Sequence, residues 1–214
     1  MKKALSKDNG GRSITAEEAA DLYGFLASVL NNRHDEKIVE NLRTYFLNNS
    51  DELTQEMEEY WKQQSDMSIA DISTELSVDW TRLFRGISPS YGPPPPYTGV
   101  YQSADGTGIK FLLSVQNAYK EGGLEPDIKK KRDRFDYLGF ELEFMSHLAN
   151  QMVLAQESND TEKAKEYGKK LNKFADSFVR PWISSFVDKA LPHAKTSFFQ
   201  GYLKLLNNAG VRVE

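Results

Sequence analysis

The sequence predicts an all-α protein, a single-domain multi-helix bundle with a proline-rich crossover between two helical halves. Three observations predict it. Apolar residues return every three or four positions in segment after segment, the signature of amphipathic helices. No stretch alternates polar and apolar residues between hairpin turns, so strands are not required. The one segment that resists a helical reading, residues 86–104, lies mid-chain and reads as a rigid connector.

At 214 residues, 39 % of them hydrophobic, the chain suffices for one substantial core. Residues 1–13 carry charge and Gly10-Gly11 without an apolar run, and read as a disordered leader rather than a signal peptide. Residues 14–209 are expected to form the helical domain and 210–214 a frayed tail. Thr15, with Glu18 three residues on, makes a capping box, and Ala19, Leu22, Tyr23, Leu26, Val29 and Leu30 share the face of a first helix. Ile38, Leu42, Tyr45 and Phe46 mark a second helix that stops at Asn48-Asn49. Ser50-Asp51 cap a third, with Leu53, Met57, Tyr60 and Trp61 on its face. Ile69, Ile72, Leu76, Trp80, Leu83 and Phe84 trace a fourth.

That fourth helix runs straight into the proline segment. From Asp79 to Tyr101 the chain holds five of its eight prolines, with three glycines and three tyrosines. No helix is expected to survive that composition beyond Phe84, and Pro93 to Pro96 read as a short polyproline II rod. Asp105 then caps a helix through Gly106 and Gly108, with Ile109, Leu112, Val115 and Tyr119 as its buried face and Gly122-Gly123 and Pro126 as its end. Phe135, Leu138, Leu142, Met145, Ala149 and Met152 give the longest apolar stripe. Tyr137, Phe140, Phe144 and Leu148 widen it, which places this helix at the centre of the bundle. After a polar turn at Ser158 to Thr161, the next helix carries Ala164, Leu171, Phe174, Ala175 and Phe178. Pro181 opens a short helix with Trp182, Ile183, Phe186 and Ala190, which Pro192 ends. Phe198, Tyr202, Leu205 and Leu206 make the last, fraying at Asn207-Asn208. The total is about eight to ten helices.

Several functions fall away on chemistry. The net charge is −4 and the only basic run is Lys129-Lys130-Lys131-Arg132, so no nucleic-acid partner is expected. Absence of cysteine removes disulfides, thiol catalysis, iron–sulfur ligation and cysteine-bound zinc, and points to a cytosolic protein. No window approaches the roughly 20 apolar residues of a membrane span, so stable membrane insertion is not expected. Gly106-Thr107-Gly108-Ile109-Lys110 lacks the preceding strand, the glycine spacing and the Ser or Thr of a phosphate loop. Glu143 and His147 stand one turn apart, but a di-iron bundle needs paired Glu-x-x-His motifs and two further carboxylates, and only His34, His147 and His193 exist. There is no Gly-x-Ser-x-Gly elbow, and Asp133 and Asp136 read as helix-start caps. No metal, cofactor or catalytic residue is therefore expected, and the chain is read as non-enzymatic.

Recognition remains. Trp80, Leu83, Phe84, Tyr91, Tyr97 and Tyr101 offer apolar area with polar tips, as peptide-binding surfaces do. The same residues suit a second role, in which they cap the bundle core and the prolines form a rigid crossover.

The residues also carry a resemblance. Asp79-Trp80-x-Arg82-Leu83-Phe84-x-Gly86 is followed by Pro95-Pro96-Tyr97 and Val100-Tyr101. A second block runs Asp136-Tyr137-Leu138-Gly139-Phe140-Glu141-Leu142-Glu143-Phe144-Met145. A third is Pro181-Trp182-Ile183 with Phe186, then Phe198-Phe199. In this order, between about Thr15 and Leu206, the blocks resemble the TorD/DmsD-type chaperones that mature molybdenum-containing reductases. The resemblance implies a helical bundle of that type. It also implies a cytoplasmic chaperone that binds the apo-form or the twin-arginine signal peptide of a molybdopterin-containing reductase catalytic subunit. Such a chaperone assists cofactor insertion before export, in anaerobic respiration.

The resemblance implies a peptide-binding surface at Trp80, Leu83, Phe84, Pro96 and Tyr97, joined by Asp136. Tyr101, Tyr137 and Glu141 complete the expected set. A twin-arginine leader pairs a basic head with an apolar body, so Asp79, Asp133, Asp136 and Glu141 are the carboxylates expected to meet its arginines. Two departures stand out. Phe135-Asp136-Tyr137 replaces the Pro-Asp-His usual in the family, and Phe178 replaces a common histidine. Tyr137 donates a hydrogen bond but carries no proton to exchange at neutral pH. The alternative function is a helical interaction or regulatory module with no molybdoenzyme client. A hinge in the crossover leaves both a monomer and a domain-swapped homodimer open.

Overall fold

The computed structural model describes residues 13–49, 53–104, 108–124 and 134–214. In chain order its elements are β1 (Ser13–Ile14), α1 (Ala16–Asn31), α2 (Glu36–Asn48), α3 (Gln55–Gln63), α4 (Ile69–Phe84) and α5 (Thr98–Gln102). They continue as α6 (Ile109–Glu121), α7 (Leu138–Glu157), α8 (Thr161–Phe178), α9 (Ile183–Ala190), α10 (Ser197–Leu206) and β2 (Arg212–Val213). The all-α class is as expected. The leader through residue 12, the Ser50-Asp51 cap, the Asp105 cap with Gly106, Pro126, the Lys129–Arg132 run and Asp133 lie outside the described residues. No helix among the described residues is long and apolar enough to cross a membrane.

Local chemistry sets the helix starts. Thr15 and Glu18 exchange their capping-box bonds at 2.9 and 3.2 Å ahead of α1. Asp35 accepts from the Ile38 amide, Ser68 from Asp71, Asp160 from Lys163 and Thr196 from Phe199, each satisfying a donor that the helix cannot.

The described chain divides into two compact units, with a boundary inside the proline run between Pro95 and Pro96. The first holds Asn32–Pro95 and Ser185–Asn208. Its α3 packs on α10 and on α2, and α2 packs on α4. Phe46, Tyr60 and Trp61 surround Phe198 with ring centroids 5.8 to 6.1 Å away. The expected face of α2 needs correction. Phe46 is buried as expected, but Tyr45 is 47 % exposed and Val39 is buried in its place. Val39 and Phe46, seven apart, mark a narrow buried stripe, with Ile38 and Leu42 half-buried beside it and Leu47 exposed.

The second unit holds residues 13–31, Pro96–Ser184 and Ala209–Glu214. Here α7 lies against α1 and α8, and α8 also meets α6 and β2. The central position expected for the Leu138–Met152 stripe is what the unit shows, although Phe135 precedes the helix. On α6, Val115 and Tyr119 are buried, whereas Ile109 is 63 % exposed.

Two further expectations are corrected in this unit. Short strands exist, since β1 and β2 pair in parallel, Ser13 beside Arg212 and Ile14 beside Val213. Residues 210–214 are therefore tied down rather than frayed. Asn172 of α8 acts as the second edge: its Nδ2 donates to the Val213 carbonyl at 2.8 Å and its Oδ1 accepts from the Val213 amide. Arg180 donates to the carbonyls of Gly210 and Val211. Asn172→Ala should cost about 1–3 kcal/mol by stranding these groups, and hydrogen exchange at the Val213 and Glu214 amides should accelerate.

Candidate functional site

The expected site residues fall into two clusters, one in each unit. In the first unit, Trp80, Leu83 and Phe84 occupy the last turn of α4. Leu83 and Phe84 are buried, and the Phe84 ring meets Phe186, Phe199 and Tyr202 at 5.8 to 6.0 Å. Trp80 is half-buried beside His34, with the Arg85 guanidinium over its ring. The indole N–H of Trp80 and both ring nitrogens of His34 are buried without hydrogen-bond partners. Burial pulls the His34 imidazole down to about 4, with Asp35 pushing the other way, so His34 is neutral at physiological pH.

The connector explains the glycines of the motif. Gly86 ends α4 at φ 60°, a left-handed conformation that glycine adopts without strain, and a side chain there would strike Pro95. Gly92 sits against the Arg82 carbonyl, where a Cβ would lie 2.0 Å from the oxygen. Pro93 and Pro96 are buried, so the proline run is docked rather than free-standing. Arg82 lies over the Tyr91 ring at 5.2 Å, and Ile87 and Tyr91 remain exposed at 58 and 37 %.

Asp79 is fully engaged inside this unit. Its Oδ1 takes the Arg82 guanidinium at 2.6 Å. Its Oδ2 accepts from the Thr196 amide at 2.8 Å, the Thr196 hydroxyl at 2.9 Å and the Lys195 amide at 3.0 Å. The aspartate of the motif thus anchors, from α4, the Lys195–Thr196 segment that leads into α10, whose own cap is Thr196.

In the second unit, Pro96, Tyr97, Tyr101, Asp136, Tyr137 and Glu141 come together. Tyr97 and Tyr137 form an antiparallel bridge, flanked by Leu138 N–H to Pro96 C=O and Thr98 N–H to Asp136 C=O, both 2.9 Å. The bridge delivers Thr98 and Gly99 to Asp136, whose Oδ2 accepts the Gly99 amide at 3.0 Å. That bond nucleates α5, a five-residue helix inside a stretch expected to hold none. The physical reason is tertiary, since the donor is satisfied by a carboxylate 37 residues away. Gly99 faces Gly108 backbone to backbone, and a Cβ on Gly99 would lie 2.5 Å from the Gly108 Cα. Gly99→Ala is expected to cost about 1–3 kcal/mol through overpacking, measured by chemical denaturation.

Glu141 is fully buried one turn into α7. Its Oε1 lies 2.5 Å from the Thr98 hydroxyl, which is also 2.8 Å from the Phe178 carbonyl. Thr98 has one hydroxyl hydrogen for these two acceptors, and a protonated Glu141 that donates to Thr98 leaves that hydrogen for the Phe178 carbonyl. Burial, the largest influence, pushes the Glu141 carboxyl well above its ordinary range. The Thr98 bond opposes this and Asp136 reinforces it. The Trp182 indole donates to the Phe178 carbonyl, and Tyr101 stacks on the Trp182 ring at 4.8 Å and 20°. Burial raises the Tyr101 hydroxyl pKa. Tyr137 is buried and donates to the Leu30 carbonyl at 3.2 Å, a task that does not require the histidine usual there.

The placement of the carboxylates needs correction. Asp79, Asp136 and Glu141 were expected at a surface edge, and all three are interior groups bound to partners of this chain. Leu83, Phe84, Pro96 and Tyr137 are interior as well, while Trp80, Tyr97 and Tyr101 are half-buried. Sequence reading missed Thr98, Arg134, Trp182 and Thr196 as members of these networks. Only Arg134, two residues from Asp136, had a local signal.

A family model described as "nitrate reductase delta subunit" matches residues 50–188, most of the chain and all nine expected site residues. No curated protein matches the chain. The helical fold, the matched span and the sequence blocks agree, and the chain therefore belongs to the nitrate reductase delta subunit family, the NarJ/TorD-type chaperones of molybdoenzyme maturation.

Proposed function

We propose that this chaperone acts in the cytoplasm on the catalytic subunit of a molybdopterin-containing reductase. It binds the apo-subunit, its twin-arginine signal peptide or both, and holds the client until the cofactor is inserted and export begins, as anaerobic respiration requires. The observation that carries this reading is the family match, which encloses all nine expected site residues. The accessible groups support it. In the first unit Ile87, Tyr91 and the Trp80 edge offer apolar contact area, and in the second Tyr97 and Tyr101 border a carboxylate of guanidinium-binding geometry. Leu83, Phe84, Pro96, Tyr137 and Glu141 support these groups from beneath.

A tagged copy of the protein, expressed with the reductase subunit, tests this directly. It should capture the cofactor-free subunit and release it after cofactor loading, with capture weakened when the leader is deleted. Capture of cofactor-free and loaded subunit alike, or of neither, overturns the reading. Size-exclusion chromatography over a range of concentrations decides between a monomer and a dimer swapped about the 86–104 connector.

A further inference from the structure

Asp136 already holds a guanidinium. Arg134 Nε donates to its Oδ1 at 2.9 Å and Arg134 Nη2 to its Oδ2 at 2.8 Å, the parallel fork that arginine makes with carboxylates. The Arg134 Cζ lies 5.5 Å from the Tyr97 ring centroid, within cation–π range. Gly99 and Gly108 leave room for the group: a Cβ on either would lie 3.0 or 2.7 Å from Arg134 Nη2. A carboxylate oriented by the Gly99 amide, an aromatic face and two glycines thus make a slot shaped for one guanidinium.

The two partners differ in exposure. The Asp136 side chain is 0 % exposed and the Arg134 side chain 39 %. The slot's occupant is therefore reachable from solvent, although its carboxylate is not. Removing the cation outright would leave a buried charge without compensation, which is strongly unfavourable. An arginine arriving from outside restores both charge and fork as Arg134 leaves, so exchange avoids that penalty. Lysine, a point charge without the fork, restores only the charge.

We propose that Arg134 is an internal stand-in ligand, which fills the Asp136–Tyr97 slot until an arginine of a client peptide replaces it. The exchange sets the threshold affinity of the site and its preference for arginine over lysine. This rests on the reading that the client leader carries adjacent arginines recognised at Asp136.

The test uses the full chain and two synthetic peptides, one with two adjacent arginines before an apolar segment and one with lysines in their place. Calorimetric titration should show tighter binding of the arginine peptide, and Arg134→Ala should bind it roughly tenfold more tightly than wild type. In an Asp136→Asn background the same change should give no gain. The wild type supplies a readout independent of any variant's folding: the Arg134 Nε–H resonance should shift on adding the arginine peptide and not the lysine peptide. Arginine-peptide binding with an unmoved Arg134 signal and no gain in Arg134→Ala overturns the exchange and leaves the chaperone reading standing. Binding of neither peptide overturns the exchange, and the client-capture experiment then judges the chaperone reading by itself.

Discussion

Asp79→Ala is expected to lower the unfolding free energy by about 3–5 kcal/mol, the cost of breaking a buried ion pair from one side. Three donors of the Lys195–Thr196 segment and the Arg82 guanidinium converge on this carboxylate. Alanine would leave the Arg82 charge, only 16 % exposed, beside unsatisfied amides at the start of α10. Asp79→Asn retains an acceptor for the amides but no charge for Arg82, so it should fall between alanine and wild type. Urea unfolding monitored by tryptophan fluorescence measures both. A loss below 1 kcal/mol for alanine would mean that the junction between α4 and α10 is held by apolar packing alone.

Glu141→Gln should raise stability at neutral and alkaline pH and remove a slope from the pH profile. The folded protein keeps the Glu141 proton well above the ordinary glutamate value of 4.5, at which the unfolded chain releases it. Between those two values the folded state binds more protons, so wild-type stability falls as pH rises, by at most about 1.4 kcal/mol per pH unit. Below the unfolded value both states are protonated and the loss vanishes. Glutamine mimics the neutral acid, donating through Nε2 to the Thr98 hydroxyl while Thr98 donates to the Phe178 carbonyl. The difference between the two unfolding curves, taken in unit steps from about pH 5 to 8, isolates this residue from all others that titrate. A flat difference would show that Glu141 is not held protonated.

The helices, the α1 cap and the all-α class were legible because each signal is local. Thr15 and Glu18 act across three residues, and apolar periodicity repeats within a turn or two, whereas the equally local caps at Asp35 and Ser68 were passed over. Where apolar residues lay on more than one face of a helix the reading slipped, as at Tyr45 and Ile109, whose exposure depends on which neighbours arrive. The α5 turn and the β1–β2 pair were illegible for the same reason, since each is completed by a distant segment.

The candidate site divides in the same way. By itself the sequence marked out the Asp79–Gly86 and Asp136–Met145 blocks and the prolines and tyrosines between them. It did not determine what those residues do, because an aspartate at a helix end looks alike whether it faces water or an amide. Only the tertiary structure decided that Asp79 holds the cap residue of a helix 117 residues away, that Glu141 meets Thr98 across 43, and that Asp136 holds a guanidinium of its own chain. A carboxylate's role is set by the charge and donors around it, and here most of those come from residues far along the chain, which leave no periodic trace beside it.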